Sequence, residues 1–172
     1  MRDQELRNSR LVFYKDDLDR LDRVLEELVR LSGSRSVLLV DKEGHMITHA
    51  GEDAKIDHDT ISALVAGSFN ATREMACLLG EQQFSALYHQ GESDNIQLSL
   101  VGDRTILTVI FDDATTLGMV RLYVNEGVRK MDELFADIAR RNEAEGPRSI
   151  AALEGADFED SAKQKLDAFF DS

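Results

Sequence analysis

The sequence predicts an α+β fold: a five-stranded antiparallel sheet with helices on both faces, laid out as helix, hairpin, helix, three-strand meander, helix, with an amphipathic C-terminal tail. Three observations predict it. Two short apolar runs flank Asp41-Lys42-Glu43-Gly44, a loop of the kind that turns a strand back on itself. Three further strand-like runs follow Gly80 at short intervals. Around them, three longer stretches repeat apolar residues at the three- and four-residue spacing of helices.

Residues 1–13 are polar until Leu11, Val12 and Phe13, and read as a flexible N-terminus leading into a domain over 14–141. From Asp16 to Leu31, Leu18, Leu21, Leu25 and Leu28 form the buried stripe of a first helix, with acid-first pairs Asp19 to Arg23 and Glu26 to Arg30 outside. The acidic cluster Asp16, Asp17, Asp19 and Asp22 is expected on the solvated face, complementing the helix dipole rather than holding a cation. Gly33 stops the helix, and residues 35–41 form a strand apolar enough to be covered on both faces. Residues 45–50 return as its hairpin partner. His45 and His49 would share a face of that strand, but no third ligand accompanies them and no metal site is expected.

The cluster Asp57-His58-Asp59-Thr60 caps a second helix that runs to Gly80. At about 100° per residue, Ile61, Leu64, Val65, Ser68, Thr72, Met75 and Leu79 fall on the side expected to cover the sheet. The opposite side reads Ala63, Ala66, Gly67, Asn70, Arg73, Glu74 and Cys77. A solvent face would carry Glu, Lys and Gln; small residues here, with a mid-helix Gly costing ~1 kcal/mol relative to Ala, predict another surface packing against it.

The meander runs are Phe84–Gln90, Asn95–Val101 and Thr105–Phe111. Ile96, Leu98 and Leu100 alternate with Gln97 and Ser99, which predicts one covered face there. The first run, with Phe84, Ala86 and Tyr88, is expected at a sheet edge where a second copy can pair, so a homodimer is expected. Leu117, Val120, Val124, Val128, Met131, Phe135 and Ile138 trace a third helix ending near Arg141; LGMVRLYV also suits a strand, and the unbroken stripe decides for helix. Residues 142–156, with the single proline Pro147, read as a linker. Residues 157–172 set Phe158, Ala162, Leu166 and Phe169 or Phe170 at helical spacing in an acidic surround, a segment that docks on its own domain or in a partner groove.

Of 172 residues, 20 are Lys or Arg and 33 Asp or Glu, so 20 − 33 gives −13, and nucleic acid or an anionic lipid surface is disfavoured as a partner. No apolar run reaches the ~20 residues of a membrane span. The opening MRDQELRNSR lacks a signal-peptide pattern, and no membrane insertion and a cytoplasmic location are expected. Cys77, the single cysteine, is expected as a small buried or half-buried side chain. No phosphate-binding glycine loop, G-x-S-x-G, H-E-x-x-H or C-x-x-C is present, and the four histidines follow no triad order, so no catalytic residue, cofactor or metal is expected. Arg73 is either a surface charge or an arginine supplied to another protein's active site.

The element order resembles the Roadblock family of dynein light chain-type domains, and LVDKEGHMITHAG, ALVAGSFNATREMACLLGE and LTVIFDDATTLGMVRL resemble its MglB branch. The likeness runs from about Tyr14 to Ile138, and the tail DFEDSAKQKLDAFF resembles the acidic C-terminal segment of some members. The resemblance implies a Roadblock/longin-like sandwich and a bacterial homodimer joined through the edge strand. It implies a platform of Ala63, Ala66, Gly67, Asn70, Arg73 and Glu74 for a small Ras-like GTPase of the MglA type. Such regulators stimulate GTP hydrolysis by pushing the GTPase's own residues into place, which implies a GTPase activator without an active site of its own and argues against Arg73 as a catalytic group. Phe158, Leu166, Phe169 and Phe170 would form an arm to a second surface of the GTPase, and bacterial polarity or motility, with accumulation at a cell pole, is the implied setting. The chain departs from the branch at Ser68, Asn70 and Glu74, where Asn and small side chains are usual. Two other readings stay open: a Roadblock scaffold that assembles a complex without affecting hydrolysis, and a sensor of the PAS or profilin-like kind holding a small ligand.

Overall fold

The computed structural model describes residues 11–52 and 57–145; Phe158, Leu166, Phe169 and Phe170 lie outside the described residues, as does most of the expected linker. The elements are α1 (Lys15–Ser32), β1 (Ser36–Asp41), β2 (Met46–Gly51), α2 (His58–Leu78), β3 (Ala86–Gln90), β4 (Asn95–Val101), β5 (Thr105–Phe111) and α3 (Leu117–Glu145). The described residues divide into two compact units, one within residues 13–136 and a smaller one of residues 11–12 with 137–145. In the smaller unit, Asp137 pairs with Arg140 and the Asn142 amide donates to the Val12 carbonyl at 3.3 Å.

In the larger unit all five strands form one antiparallel sheet in the order β2-β1-β5-β4-β3, which puts β3 at an edge as the meander pattern predicts. β1 and β5 are central and buried along nearly their whole length, which is why their sequences are apolar without alternation. One face carries Leu38, Val40, Leu98, Ile106 and Ile110, which pack with Val65, Ala66 and Phe69 of α2. The other face buries Val37, Leu39, Leu107, Val109 and Phe111. On that side α1 is tied to β2 by the Thr48 hydroxyl donating to Asp22, and α3 to the β4–β5 turn by the Gly102 N–H donating to Asp132 at 2.8 Å. The two helices are joined to each other by Lys130 on Glu27 at 2.7 Å, and the loop before α3 is tied to the end of α1 by the Thr115 hydroxyl donating to the Ser32 carbonyl at 2.6 Å.

Five expectations are corrected. Asp17 is buried, not solvated: its carboxylate accepts from the Tyr14 N–H at 2.9 Å and completes a capping box. Gln97 and Ser99 are buried as well, because the sheet is covered on both faces at β4, not one. β3 begins at Ala86, so Phe84 precedes the strand and packs its ring on Phe69 at 5.0 Å. His45 lies in the turn before β2, 3.1 Å from Asp41. α3 continues to Glu145, past Arg141, since residues 142–145 hold no proline or glycine to stop it.

Candidate functional site

α2 begins with Asp57, whose carboxylate accepts from the Thr60 hydroxyl at 2.6 Å and from the Thr60 N–H at 3.4 Å. The Thr60 hydroxyl, then its N–H, holds the Asp57 carboxyl below the ordinary aspartate range. From this cap the helix crosses the sheet with Ser62, Val65, Ala66 and Phe69 turned inward.

That orientation differs from the one read from the sequence by a rotation about the helix axis. Ala66, expected on the outer platform, is 4% exposed and belongs to the core. Leu64, Met75 and Leu79, expected against the sheet, are 63%, 55% and 82% exposed, and Leu78 is 87% exposed. Cys77 is exposed too, not half-buried, since it stands in the last turn of α2 among these residues. The decisive side chain is Phe69. It is the largest on the helix, and burying it fixes the rotation for every neighbour.

The remaining platform residues divide between two tasks. Gly67, Arg73 and Glu74 are exposed, and a Cβ placed on Gly67 would meet nothing within 4 Å. Ala63 and Asn70, also exposed, brace the β1–β2 turn: the Asn70 amide donates to the Lys42 carbonyl at 3.1 Å, and a Cβ on Gly44 would come within 3.0 Å of the Ala63 Cα. Gly44 also takes φ +96°, a left-handed conformation that only glycine adopts without strain.

The outward line of α2 therefore reads Leu64, Gly67, Ser68, Ala71, Met75, Leu78, a continuous apolar and small-residue ridge on an otherwise charged chain. Such ridges mark contact with another macromolecule. Of the edge-strand residues, Ala86 is exposed, and Tyr88 is half-buried, its hydroxyl donating to Asn95 at 3.1 Å and its ring lying 6.3 Å from that of Phe111. Among the described residues no three His, Cys, Asp or Glu side chains gather in a metal-holding group, and no helix is long and apolar enough to cross a membrane.

Residues 20–111, more than half of the chain, match the Roadblock/LC7 domain family. The chain belongs to that family. The MglB of Myxococcus xanthus is 34% identical, covers 69% of this chain and 96% of its own, and superposes with a TM-score of 0.67. The gliding protein mglB of Thermus thermophilus is 34% identical over 76% of this chain and 96% of its own, again at 0.67. An MglB with a tetrameric arrangement is 31% identical over 74% and 96%, at 0.70. These likenesses support the MglB branch of the family, and the sheet with its three helices is the Roadblock fold these proteins share.

What the sequence missed was the outward apolar ridge. The signal was present: Phe69 competes with Leu64 and Met75 for the sheet, and a helix buries its aromatic first.

Proposed function

We propose that the chain is a GTPase-activating regulator that works as a homodimer on a small Ras-like GTPase of the MglA type, in bacterial polarity or motility, from the cytoplasm and at a cell pole. It contributes no active site of its own; the GTPase holds the nucleotide and the catalytic groups. The observation that carries the reading is the outer ridge of α2, where Gly67 costs helix stability and no neighbour within the fold requires it. A glycine kept there suits a surface that must come close to the helix backbone. The second copy is assigned to Leu64, Met75, Leu78 and Leu79 together with the β3 edge, and the GTPase to the flank of Ala63, Gly67, Arg73 and Glu74. Asn70 serves that flank by holding the β1–β2 turn beside it, and Ala66 supports it from beneath. Glu74 is exposed, and if the GTPase covers it a basic group there is needed to offset its desolvation. Phe158, Leu166, Phe169 and Phe170 form the arm to a second GTPase surface.

Single-turnover GTP hydrolysis by the Ras-like GTPase of the same genome, with this protein in excess, tests the reading. A rate at least tenfold higher, about 1.4 kcal/mol off the barrier, is expected. A stable complex with an unchanged rate would establish the scaffold reading instead.

A further inference from the structure

We propose that residues 157–172 dock as a helix in the groove between α1 and α3 of their own chain, antiparallel to α3, and so hold the apolar arm in store. The groove lies on the sheet face opposite α2, clear of the outer ridge. Val24 and Leu31 of α1 line it with Tyr123 and Gly127 of α3. Met119 and Leu122, 43% and 60% exposed, extend its apolar wall toward the start of α3. Its other end is charged. The Lys130 ammonium lies 2.7 Å from Glu27 and 3.4 Å from Glu126 and engages one oxygen of each, so the second oxygen of each carboxylate is open to another cation. Met119, Leu122, Tyr123, Glu126 and Lys130 thus form one outward stripe of α3, apolar first and charged last.

The C-terminal segment carries the complementary pattern. At about 100° per residue, Phe158, Ala162, Leu166 and Phe169 fall within a stripe about 80° wide. Lys163 and Lys165 flank that stripe on either side, and Asp157, Asp160, Asp167 and Asp171 lie opposite it, toward solvent. Phe158 to Phe169 and Met119 to Lys130 are both eleven residues, about 17 Å of helix, so the apolar stripe matches the groove in length. Lysine stems can lie along apolar walls while their ammonium groups reach Glu27 and Glu126 at the rim. Linker length sets the direction. The twelve steps from Glu145 to Asp157 reach at most ~40 Å. Lys130 is fifteen residues back along α3 from Glu145, ~22 Å, and Met119 is twenty-six, ~39 Å. Only the first is reached with slack, which sets Phe158 beside Lys130 and Phe169 beside Met119. The stripe that fills the groove is the one assigned above to the GTPase, so groove and GTPase compete for it; that competition rests on the GTPase reading, whereas the docking does not.

Cross-linking in the full chain, with no GTPase present, tests the docking. Antiparallel docking sets Ala162 beside Glu126, so Ala162→Cys with Glu126→Cys in a Cys77→Ser background is expected to cross-link with a short bis-maleimide, within one chain of 19.3 kDa on a denaturing gel. Ala162→Cys alone keeps the exposed Cys77 of α2 as its only partner, and that cross-link is expected at least tenfold more slowly. Leu122→Glu alters an exposed side chain, so circular dichroism is expected to be unchanged while the cross-link between positions 126 and 162 slows to the Cys77 rate. Equal rates at Cys77 and at position 126 would overturn the docking and leave the GTPase reading standing. A product at twice the chain mass would place the segment on a second copy and overturn docking within one chain.

Discussion

At Gly67 a side chain would enter open space, so its substitutions separate folding from recognition. Gly67→Ala adds helix propensity of ~1 kcal/mol and is expected to raise Tm by a few degrees. Gly67→Arg is expected to leave Tm and the dimer nearly unchanged while lowering GTPase affinity at least a hundredfold, as measured by calorimetric titration. Retained binding would place the GTPase elsewhere. Asp57 is a second residue with a separable role. Its folded pKa lies below the ordinary 3.8, so its stabilisation is complete above that value and is lost as pH falls through the lowered one. Asp57→Asn keeps a capping oxygen without the titration, and its acid unfolding curve is expected to be shallower below pH ~4 than that of the natural chain.

Among the elements, β4 and β5 have the limits their alternation and apolar runs predict, and β3 lies at the predicted edge. Those features were legible because strand limits are set by nearby turn residues such as Gly102 and Asp103. The rotation of α2 was not, because two apolar sets coexist on that helix and only the space beneath it selects the one containing Phe69. The same blindness applied to Gln97 and Ser99: polar side chains read as solvent-facing, yet the sheet is covered on both faces. Of the site, Gly67, Arg73 and Glu74 were legible as an exposed group, whereas the bracing contact of Asn70 with Lys42 joins residues 28 apart and leaves no local trace. The ridge carries its own expectation. Leu78→Asp with Leu79→Asp removes no buried group, so the monomer fold is expected to persist by circular dichroism while sedimentation shifts from dimer to monomer.

For the whole molecule, the platform and the tail are separate in sequence, so they are separable by truncation. A chain ending at Glu145 keeps α3 entire. It is expected to remain a folded dimer and to bind the GTPase several-fold more weakly by calorimetry; an unchanged affinity would assign the tail another task.

The pairing of β1 with β5 sets Asp41 opposite Thr105, so the two central strands meet only after a loop holding β2, α2 and two strands of the meander has closed. Closing such a loop is entropically slow, whereas β3, β4 and β5 join through turns of a few residues. The meander, like the β1–β2 hairpin, is thus positioned to form before β1 docks on β5, with the open side of β3 displayed in the interval. A nascent chain in that state presents its uncharged edge to any neighbour emerging beside it, and the pace at which β1 and α2 close over the sheet decides between orderly assembly and aggregation.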